Sequence, residues 1–315
     1  MREALFIKQN SEKWQKYEQM QTPDPDELAQ RFISLTDDLA YAKTFYPQSK
    51  TTAYLNALTA RLHQSIYKNK KEKSGRFISF WKFELPLLFK KYEMQLLYSF
   101  LFTVVFALMG ALSAKYDNNF IRLILGDRYV NMTNANIAKG DPFGVYKQQN
   151  EYKMFFMIAF HNIFVSFYCF VGGTFFSLGS IYALIRNGIM LGSFEYYFFS
   201  KGFGLQSVLV IWIHGTLEIS SIIIAGAAGL VLGKSILFPE TYKRIESFKR
   251  GAKDGTKMVI GLIPIFITAA FFESFVTRHT EIPVWLSVTI LFLSLLFIVG
   301  YVIIYPNYLR KKTST

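Results

Sequence analysis

Several features that support catalysis or nucleic-acid binding are missing from this chain. The 315 residues include a single cysteine, Cys169, so no intramolecular disulfide can form. There is no P-loop, no G-x-S-x-G elbow and no H-E-x-x-H zinc-protease motif. Zinc-finger spacings and an aromatic RNA-binding motif are also missing. We therefore expect no enzymatic activity, no cofactor, no metal site and no nucleic-acid partner.

Long apolar runs replace these motifs. Hydrophobic residues make up 51% of the chain and aromatic residues 17%, which is typical of membrane proteins. The formal net charge of +13 arises from Lys and Arg that cluster beside the apolar runs. This arrangement indicates membrane topology and contact with membrane lipids. The N-terminus lacks the apolar region of a signal peptide, so we expect the first span to direct insertion.

The apolar content divides the chain into three parts. Residues 1–75 are polar and helix-forming, and we expect a small cytoplasmic helical domain there. Residues 76–92 are basic, contain a Trp and have an amphipathic pattern, which predicts an interfacial helix kinked at Pro86. An alternative is that this helix packs on the N-terminal domain. Residues 93–315 form the predicted transmembrane domain.

The fold class that follows is an all-α polytopic membrane bundle of about six spans. The predicted spans are 94–114, 154–171, 175–199, 206–233, 258–276 and 284–305. Between the first two, Phe120, Ile121, Leu123 and Ile124 suggest a short amphipathic helix at the membrane surface. Lys and Arg after the fourth and sixth spans place both termini in the cytoplasm.

The third predicted span carries a polar interruption at its centre. Arg186, Asn187 and Gly188 divide it into two halves that are each too short to cross a bilayer. A discontinuous helix and a pair of re-entrant half-helices are both compatible with this pattern. The charge bias requires a crossing here, so we expect one discontinuous span with a break near the midplane.

The fourth span places two ionisable residues inside an apolar run. At 100° per residue, His214 and Glu218 lie on one face together with Ser221, Ala225 and Gly229. A charged group at the bilayer centre costs about 2.5–3.5 kcal/mol on insertion scales. This face should therefore point into the bundle, and the span should be its buried central helix.

Other polar residues at membrane depth extend this into a candidate intramembrane polar site. We interpret the site either as a hydrogen-bonded structural core or as a wet cavity for an ion, a proton, a lipid or a small polar group. Because an unpaired buried Arg is costly, we expect Arg186 to pair with Glu218, with Glu195 and Glu273 as rival partners. The predicted site residues are His161, Asn162, Arg186, Asn187, His214 and Glu218.

Small residues in the third and fourth spans allow close helix packing. Gly188 and Gly192, and likewise Gly229 and Gly233, have G-x-x-x-G spacing, and Ala225 lies one turn before Gly229. These positions supply more close-approach surface than six helices need. We therefore expect a homodimer.

Three stretches resemble a known family. HGTLEISSIIIAGAAGLVLG, which starts at His214, is similar to the signature of the stage II sporulation protein M family. FHNIFVSFYCFVGG, from Phe160, and IRNGIMLG, from Ile185, resemble two further blocks of that family. The resemblance covers about Phe80 to the C-terminus. The N-terminal helical domain is an addition to the family pattern.

The resemblance implies an integral protein of the bacterial inner membrane. In endospore formers the family member acts as an anchor and scaffold for two proteins that degrade peptidoglycan. By this likeness the chain would organise other membrane or envelope proteins, such as cell-envelope remodelling factors. The alternative function is a transporter, channel or lipid-moving protein that uses the intramembrane polar site.

Overall fold

The computed structural model describes residues 2–19, 22, 24–68, 75–147, 150–278 and 282–313. The described part of the chain is almost entirely helical and contains no strand, so the predicted all-α fold is confirmed. The chain divides into two compact units, Met1–Arg76 and Phe77–Thr315.

The N-terminal unit consists of three helices, α1 Glu3–Gln19, α2 Pro25–Phe45 and α3 Lys50–Lys68. Helix α2 begins where the Asp24 carboxylate accepts a hydrogen bond from the backbone N–H of Asp26 at 3.0 Å, which satisfies a free helix donor. The apolar faces of the helices form one core, which consists of Phe6, Trp14, Leu35, Leu39, Ala42, Leu55 and Leu58.

The predicted interfacial segment is helical but is not one regular helix. It comprises α4 Arg76–Ser79, a π-helical turn Phe80–Glu84 and α5 Leu85–Lys91. Pro86 stands at the start of α5, where its missing N–H is tolerated. Two anchors join the segment to the membrane unit, since Leu85 is fully buried and the Trp81 indole donates to the Gly261 carbonyl at 3.2 Å. One face is thus packed in the bundle.

The membrane unit continues with helices α6 to α14. Five stretches are long and apolar enough to cross a membrane, namely 93–116, 151–174, 204–237, 244–276 and 284–312. The helices are α6 Glu93–Tyr116, α7 Asn118–Leu125, α8 Asp127–Ala138, α9 Glu151–Val171, α10 Leu178–Ser200, α11 Gly204–Leu237, α12 Arg244–Phe271, α13 Val284–Val299 and α14 Tyr305–Thr313. Short 3₁₀ turns cover Gly144–Lys147 and Gly172–Thr174, and π-helical turns cover Phe272–Val276 and Gly300–Ile304.

The structure corrects the predicted break in the third span. Helix α10 runs from Leu178 to Ser200 without interruption through Arg186, Asn187 and Gly188. The polar residues do not break the helix, because the Asn187 side-chain amide donates a hydrogen bond to the Ala183 carbonyl of the same helix at 2.8 Å. The predicted break near the midplane is therefore wrong, and this span is one continuous helix.

Helix α10 is more polar than the five apolar spans but extends through the same depth. It lies antiparallel to α11, with Ser177 against Gly233 at one end and Glu195 bonded to Trp212 towards the other. Its 23 residues have a length of about 35 Å at 1.5 Å per residue. This is sufficient to cross a bilayer, so α10 corresponds to the third predicted span and, with the five apolar stretches, makes six.

The small residues of α10 bring it into backbone contact with α6. A Cβ on Gly188 would lie 2.8 Å from the Thr103 carbonyl oxygen, and one on Gly192 would overlap the Ala107 carbonyl. The residue numbers rise together along the contact, so α6 and α10 are parallel. Parallel orientation is what two spans separated by one crossing, α9, require.

The small residues of α11 are also used inside the chain. A Cβ on Gly229 would overlap the Ser180 hydroxyl, one on Gly233 would overlap the Ser177 hydroxyl, and Ala225 is fully buried. These glycines, like Gly188 and Gly192, face segments of the same chain. These glycines therefore give no support to a homodimer. The homodimer itself stays a prediction.

The loop after α6 forms a layer over the end of α10. In α7, Ile121 is buried whereas Leu123 is 79% exposed, as expected for a surface amphipathic helix. The Tyr197 hydroxyl of α10 donates to the Asn134 amide oxygen at 2.8 Å. The rings of Phe143 and Phe198 are stacked with centroids 5.4 Å apart. These contacts hold the loop over the membrane unit.

Candidate ligand-binding site in the membrane unit

A cavity of about 660 Å³ lies between α9, α10 and α11 and is covered by α7 and α8. It combines apolar walls with several ionisable groups, as ligand pockets commonly do. The lining residues are Ile124, Leu125, Tyr129, Met157, Ile158, His161, Asn162, Met190, Leu191, Phe194, Glu195, Ile211, Trp212, His214, Gly215, Glu218, Ile219 and Glu273.

The arrangement of α9 and α10 explains the cavity. The two helices meet at their linking turn, where a Cβ on Gly172 would lie 2.7 Å from the Gly179 backbone carbon. Towards their other ends they pack on different elements, α9 on the π-helical turn Phe272–Val276 and α10 on α6 and α7. Exposed Met157 and Met190 of these two helices also line the cavity. The cavity is therefore accessible from the side, between α9 and α10.

Three ionisable side chains meet at the cavity and form what we term the HEE cluster, His214, Glu218 and Glu273. The first two are four residues apart on α11 and so share a face. The third comes from the π-helical turn after α12. The His214 Nε2 and Glu273 Oε2 atoms are 4.0 Å apart, and one ligand atom from each residue lies within 4.8 Å of the others.

The His214 ring is held from its other side. Its Nδ1 atom is 3.0 Å from the Thr277 hydroxyl, which in turn donates to the Val210 carbonyl at 3.4 Å. With the hydroxyl proton used in this way, Nδ1 donates to Thr277 and Nε2 keeps its lone pair. This tautomer directs an acceptor nitrogen towards the carboxylates.

Thr277 owes its position to the π-helical turn. The Thr277 backbone N–H bonds to the Phe272 carbonyl at 2.8 Å, a spacing of five residues instead of four. Such a turn inserts one extra residue and rotates the residues that follow it. Glu273, within this turn, and Thr277, directly after it, both reach His214.

Asn162 on α9 adds a fourth polar side chain to the cavity wall. It is only 4% exposed and lies close to Glu218. Its Nδ2 atom is buried and has no hydrogen-bond partner of normal geometry among the described residues. A buried donor without a partner costs about 1–3 kcal/mol, so this amide requires an explanation.

Glu195 lies in the same cavity but is satisfied separately. Its carboxylate accepts hydrogen bonds from the Trp212 indole at 2.7 Å and from the Ser207 hydroxyl at 3.4 Å. It therefore belongs to a structural contact between α10 and α11, and it does not belong to the HEE cluster.

Two tyrosines outside the spans lie beside the HEE cluster: Tyr129 lines the cavity and Tyr146 contacts His214. Burial raises the pKa of both Tyr129 and Tyr146, so both are neutral phenols over a wide pH range. The Tyr146 ring lies edge-on to the His214 ring with centroids 5.9 Å apart. Neutral aromatic side chains thus lie beside the HEE cluster.

The structure brings together four of the six predicted site residues. His161 and Asn162 on α9 and His214 and Glu218 on α11 all line the cavity. His161 is exposed at its rim. Asn187 and Arg186 do not line it.

The predicted pairing of Arg186 with Glu218 is not found. Arg186 is exposed and makes no ion pair among the described residues. It lies on the outer stripe of α10 with Tyr182 and Met190. Counting residues from the span ends placed Arg186 and Glu218 at one depth. The register between Ser180 and Gly229 puts Glu218 more than one turn beyond Arg186.

Two residues of the candidate site, Glu273 and Thr277, were not among the predicted site residues. Neither Glu273 nor Thr277 lies within a sequence motif. Glu273 was therefore considered only as a rival partner for Arg186. The signal available was a carboxylate near the end of a long apolar helix, which on cost alone should face the bundle interior.

Comparison with known proteins gives two family matches. The family model described as stage II sporulation protein M matches residues 99–278, which are more than half of the chain. A second model, described as a domain of unknown function (DUF8413), matches residues 4–68. No curated protein matches the chain. No solved structure matches it either. The first match includes the whole HEE cluster, and the second falls within the N-terminal unit.

Proposed function

Because this chain belongs to the stage II sporulation protein M family, a family of membrane proteins, we propose that it binds a bilayer lipid in its lateral cavity. The lipid enters between α9 and α10, and its polar end reaches the HEE cluster. We propose a non-enzymatic, lipid-handling role of this kind. The observation that carries it is a cavity that combines exposed apolar rim residues with buried polar groups at membrane depth.

The cavity suits an amphiphilic ligand better than a small hydrophilic one. Its rim includes Met157 and Met190, whose flexible side chains adapt to acyl chains of different shape. The buried end carries carboxylates and an imidazole, which provide polar contacts for a headgroup. Cavities of about 300–1,000 Å³ are typical of ligand sites, and this one falls in that range at about 660 Å³.

Lipid movement can be measured with purified protein in liposomes that contain a fluorescent lipid. We expect faster exchange of the lipid between leaflets than in empty liposomes. The variant Met190→Trp should slow this exchange by filling the rim. The matched control is Met109→Trp on α6, because Met190 is 45% exposed and Met109 is 50% exposed. Exchange at the empty-liposome rate, or equal loss in both variants, would contradict the proposal.

A second candidate function is a membrane scaffold for other envelope proteins, which is favoured by the two-unit organisation of the chain. The N-terminal unit has its own core and its own family match. A scaffold would bind partners through this unit while the membrane unit serves as the anchor. Following the charge pattern, we place both termini in the cytoplasm of a bacterium and the protein in its inner membrane.

Exposed Ile33 on α2 offers a test of the scaffold role. Partners captured from native membranes by the full chain should be lost from Ile33→Glu without loss of helicity. The same partners recovered with both proteins would argue against docking through this face. A homodimer would appear in the same experiment as capture of a second, differently tagged copy.

A further inference from the structure

The HEE cluster has a geometry that hydrogen bonding does not explain. His214, Glu218 and Glu273 face one another at up to 4.8 Å, and no hydrogen bond joins any two of them among the described residues. Polar groups whose only role was to stabilise the fold would approach to hydrogen-bonding distances of about 2.7–3.2 Å. Their spacing instead leaves room for an atom between them.

The charge of the cluster points in the same direction. Glu218 and Glu273 are both half-buried acidic side chains at membrane depth, and no Lys or Arg among the described residues forms an ion pair with either. An uncompensated buried charge costs several kcal/mol. A cation between the two carboxylates would remove that cost.

Asn162 provides an independent observation. It is buried on a different helix and lines the same cavity, and its amide nitrogen lies beside Glu218 but makes no hydrogen bond of normal geometry among the described residues. A half-turn of the amide exchanges its nitrogen and oxygen, which brings the oxygen to the side of Glu218. An amide oxygen is a suitable metal ligand. In this orientation the Asn162 oxygen could bind an ion at the place where the amide nitrogen now has no hydrogen bond.

We propose that His214, Glu218 and Glu273, with Asn162, form a binding site for one divalent transition-metal ion. The site uses the same cavity as the proposed lipid but does not depend on lipid entry, and its readout is metal content. An ion at about 2.0–2.2 Å from tetrahedral ligands holds them roughly 3.4 Å apart. Rotation of the flexible Glu side chains would close the present spacing of up to 4.8 Å.

The donor set selects the class of metal. An imidazole nitrogen suits Zn²⁺, Fe²⁺ and related ions, whereas Mg²⁺ and Ca²⁺ prefer all-oxygen sites. In the tautomer that the Thr277–Val210 bond favours, Thr277 accepts from the His214 Nδ1–H, and the Nε2 lone pair is left for an ion. Outer-sphere bonds of this type orient metal-binding histidines. Thr277 is thus a positioning residue.

The test is metal titration of the untagged full chain in nanodiscs after chelator treatment. Calorimetry should show one Zn²⁺ or Mn²⁺ per chain and much weaker binding of Mg²⁺. Glu218→Gln and Glu273→Gln should each weaken Zn²⁺ binding by more than 10-fold. Thr277→Val should weaken it by roughly 10- to 100-fold, as expected for an outer-sphere partner. Glu195→Gln, in the same cavity but outside the cluster, should bind as the parent does.

Two results would overturn this inference. One is the absence of stoichiometric Zn²⁺ or Mn²⁺ binding by the wild-type chain. The other is equal loss of binding in Glu195→Gln and Glu218→Gln. A spectroscopic measurement on the wild-type chain keeps the test valid if the variants do not fold. Mn²⁺ bound to the wild type should show hyperfine coupling to an imidazole nitrogen. Lack of that coupling would exclude His214 as a ligand. Lipid exchange without metal binding would refute the metal site alone, and the reverse would refute the lipid role alone.

Discussion

Replacement of Gly192 by Ala tests whether α10 is packed against α6 as a continuous span. A Cβ at this position would overlap the Ala107 carbonyl oxygen and lie 2.9 Å from the Ala111 nitrogen. Both obstacles are backbone atoms of a helix, so neither can rotate away as a side chain could. The two helices would have to separate over their whole contact.

The expected loss follows from two opposing contributions. Overpacking of a tight contact costs roughly 3 kcal/mol when backbone must move. Ala is about 1 kcal/mol better than Gly in a helix, which offsets part of this cost. The net destabilisation is then about 2 kcal/mol. At roughly 2–4 °C per kcal/mol for a unit of this size, the thermal midpoint should fall by about 4–8 °C.

The assay is thermal unfolding of the purified chain in mild detergent. The matched control is Gly215→Ala in α11, where a Cβ would meet nothing within 4 Å. It should unfold at the parent temperature or up to about 4 °C higher, because only the helix propensity changes. A Gly192→Ala protein as stable as Gly215→Ala would refute the close contact between α6 and α10.

Three further predictions follow from the described contacts. Arg186→Met should leave the thermal midpoint of the membrane unit nearly unchanged, and its effect should add to that of Glu218→Gln in the double variant; recovery in the double variant would restore the rejected pair. Leu35→Ala should destabilise the N-terminal unit by about 2–5 kcal/mol, because Leu35 is fully buried there, and unchanged urea unfolding of that unit would argue against the three-helix core. Asp254→Asn should lower stability through its bonds to Lys91 and Tyr92, at 2.6 and 2.7 Å; an unchanged midpoint would show that these bonds contribute nothing.

The helices and their spans were predictable because the constraint that produces them is local. A bilayer requires about 20 apolar residues per crossing, and such runs can be counted directly. The face of α11 was also predictable, since His214 and Glu218 cannot be exposed to lipid without cost. These inferences needed only the helical period and the energy of charge burial.

The contacts between helices could not be predicted in the same way. Depth counted from the ends of spans placed Arg186 level with Glu218, whereas the real register depends on which glycines meet which backbone. The Asn187 amide satisfied its own helix, so a polar triplet did not mean a broken span. Arg186 can extend its long side chain towards the nearer end of α10, which lowers the cost of exposure at that depth.

Glu273 illustrates a third kind of limit. Its contact with His214 depends on a π-helical turn at Phe272–Val276. No residue pattern in that stretch predicts such a turn. A regular helix through the same residues would rotate this part of the chain by about one residue, or 100°. The HEE cluster is therefore a property of the tertiary fold.

The most direct measurement of the central claim is photo-crosslinking of the reconstituted protein with a phospholipid that carries a diazirine close to its headgroup. We predict that mass spectrometry will find adducts on Glu218 or Glu273 in the cavity, and that Met190→Trp will reduce them while Met109→Trp will not. Adducts confined to the outward faces of α6 and α13, with both glutamates unlabelled, would contradict entry of a lipid into the cavity.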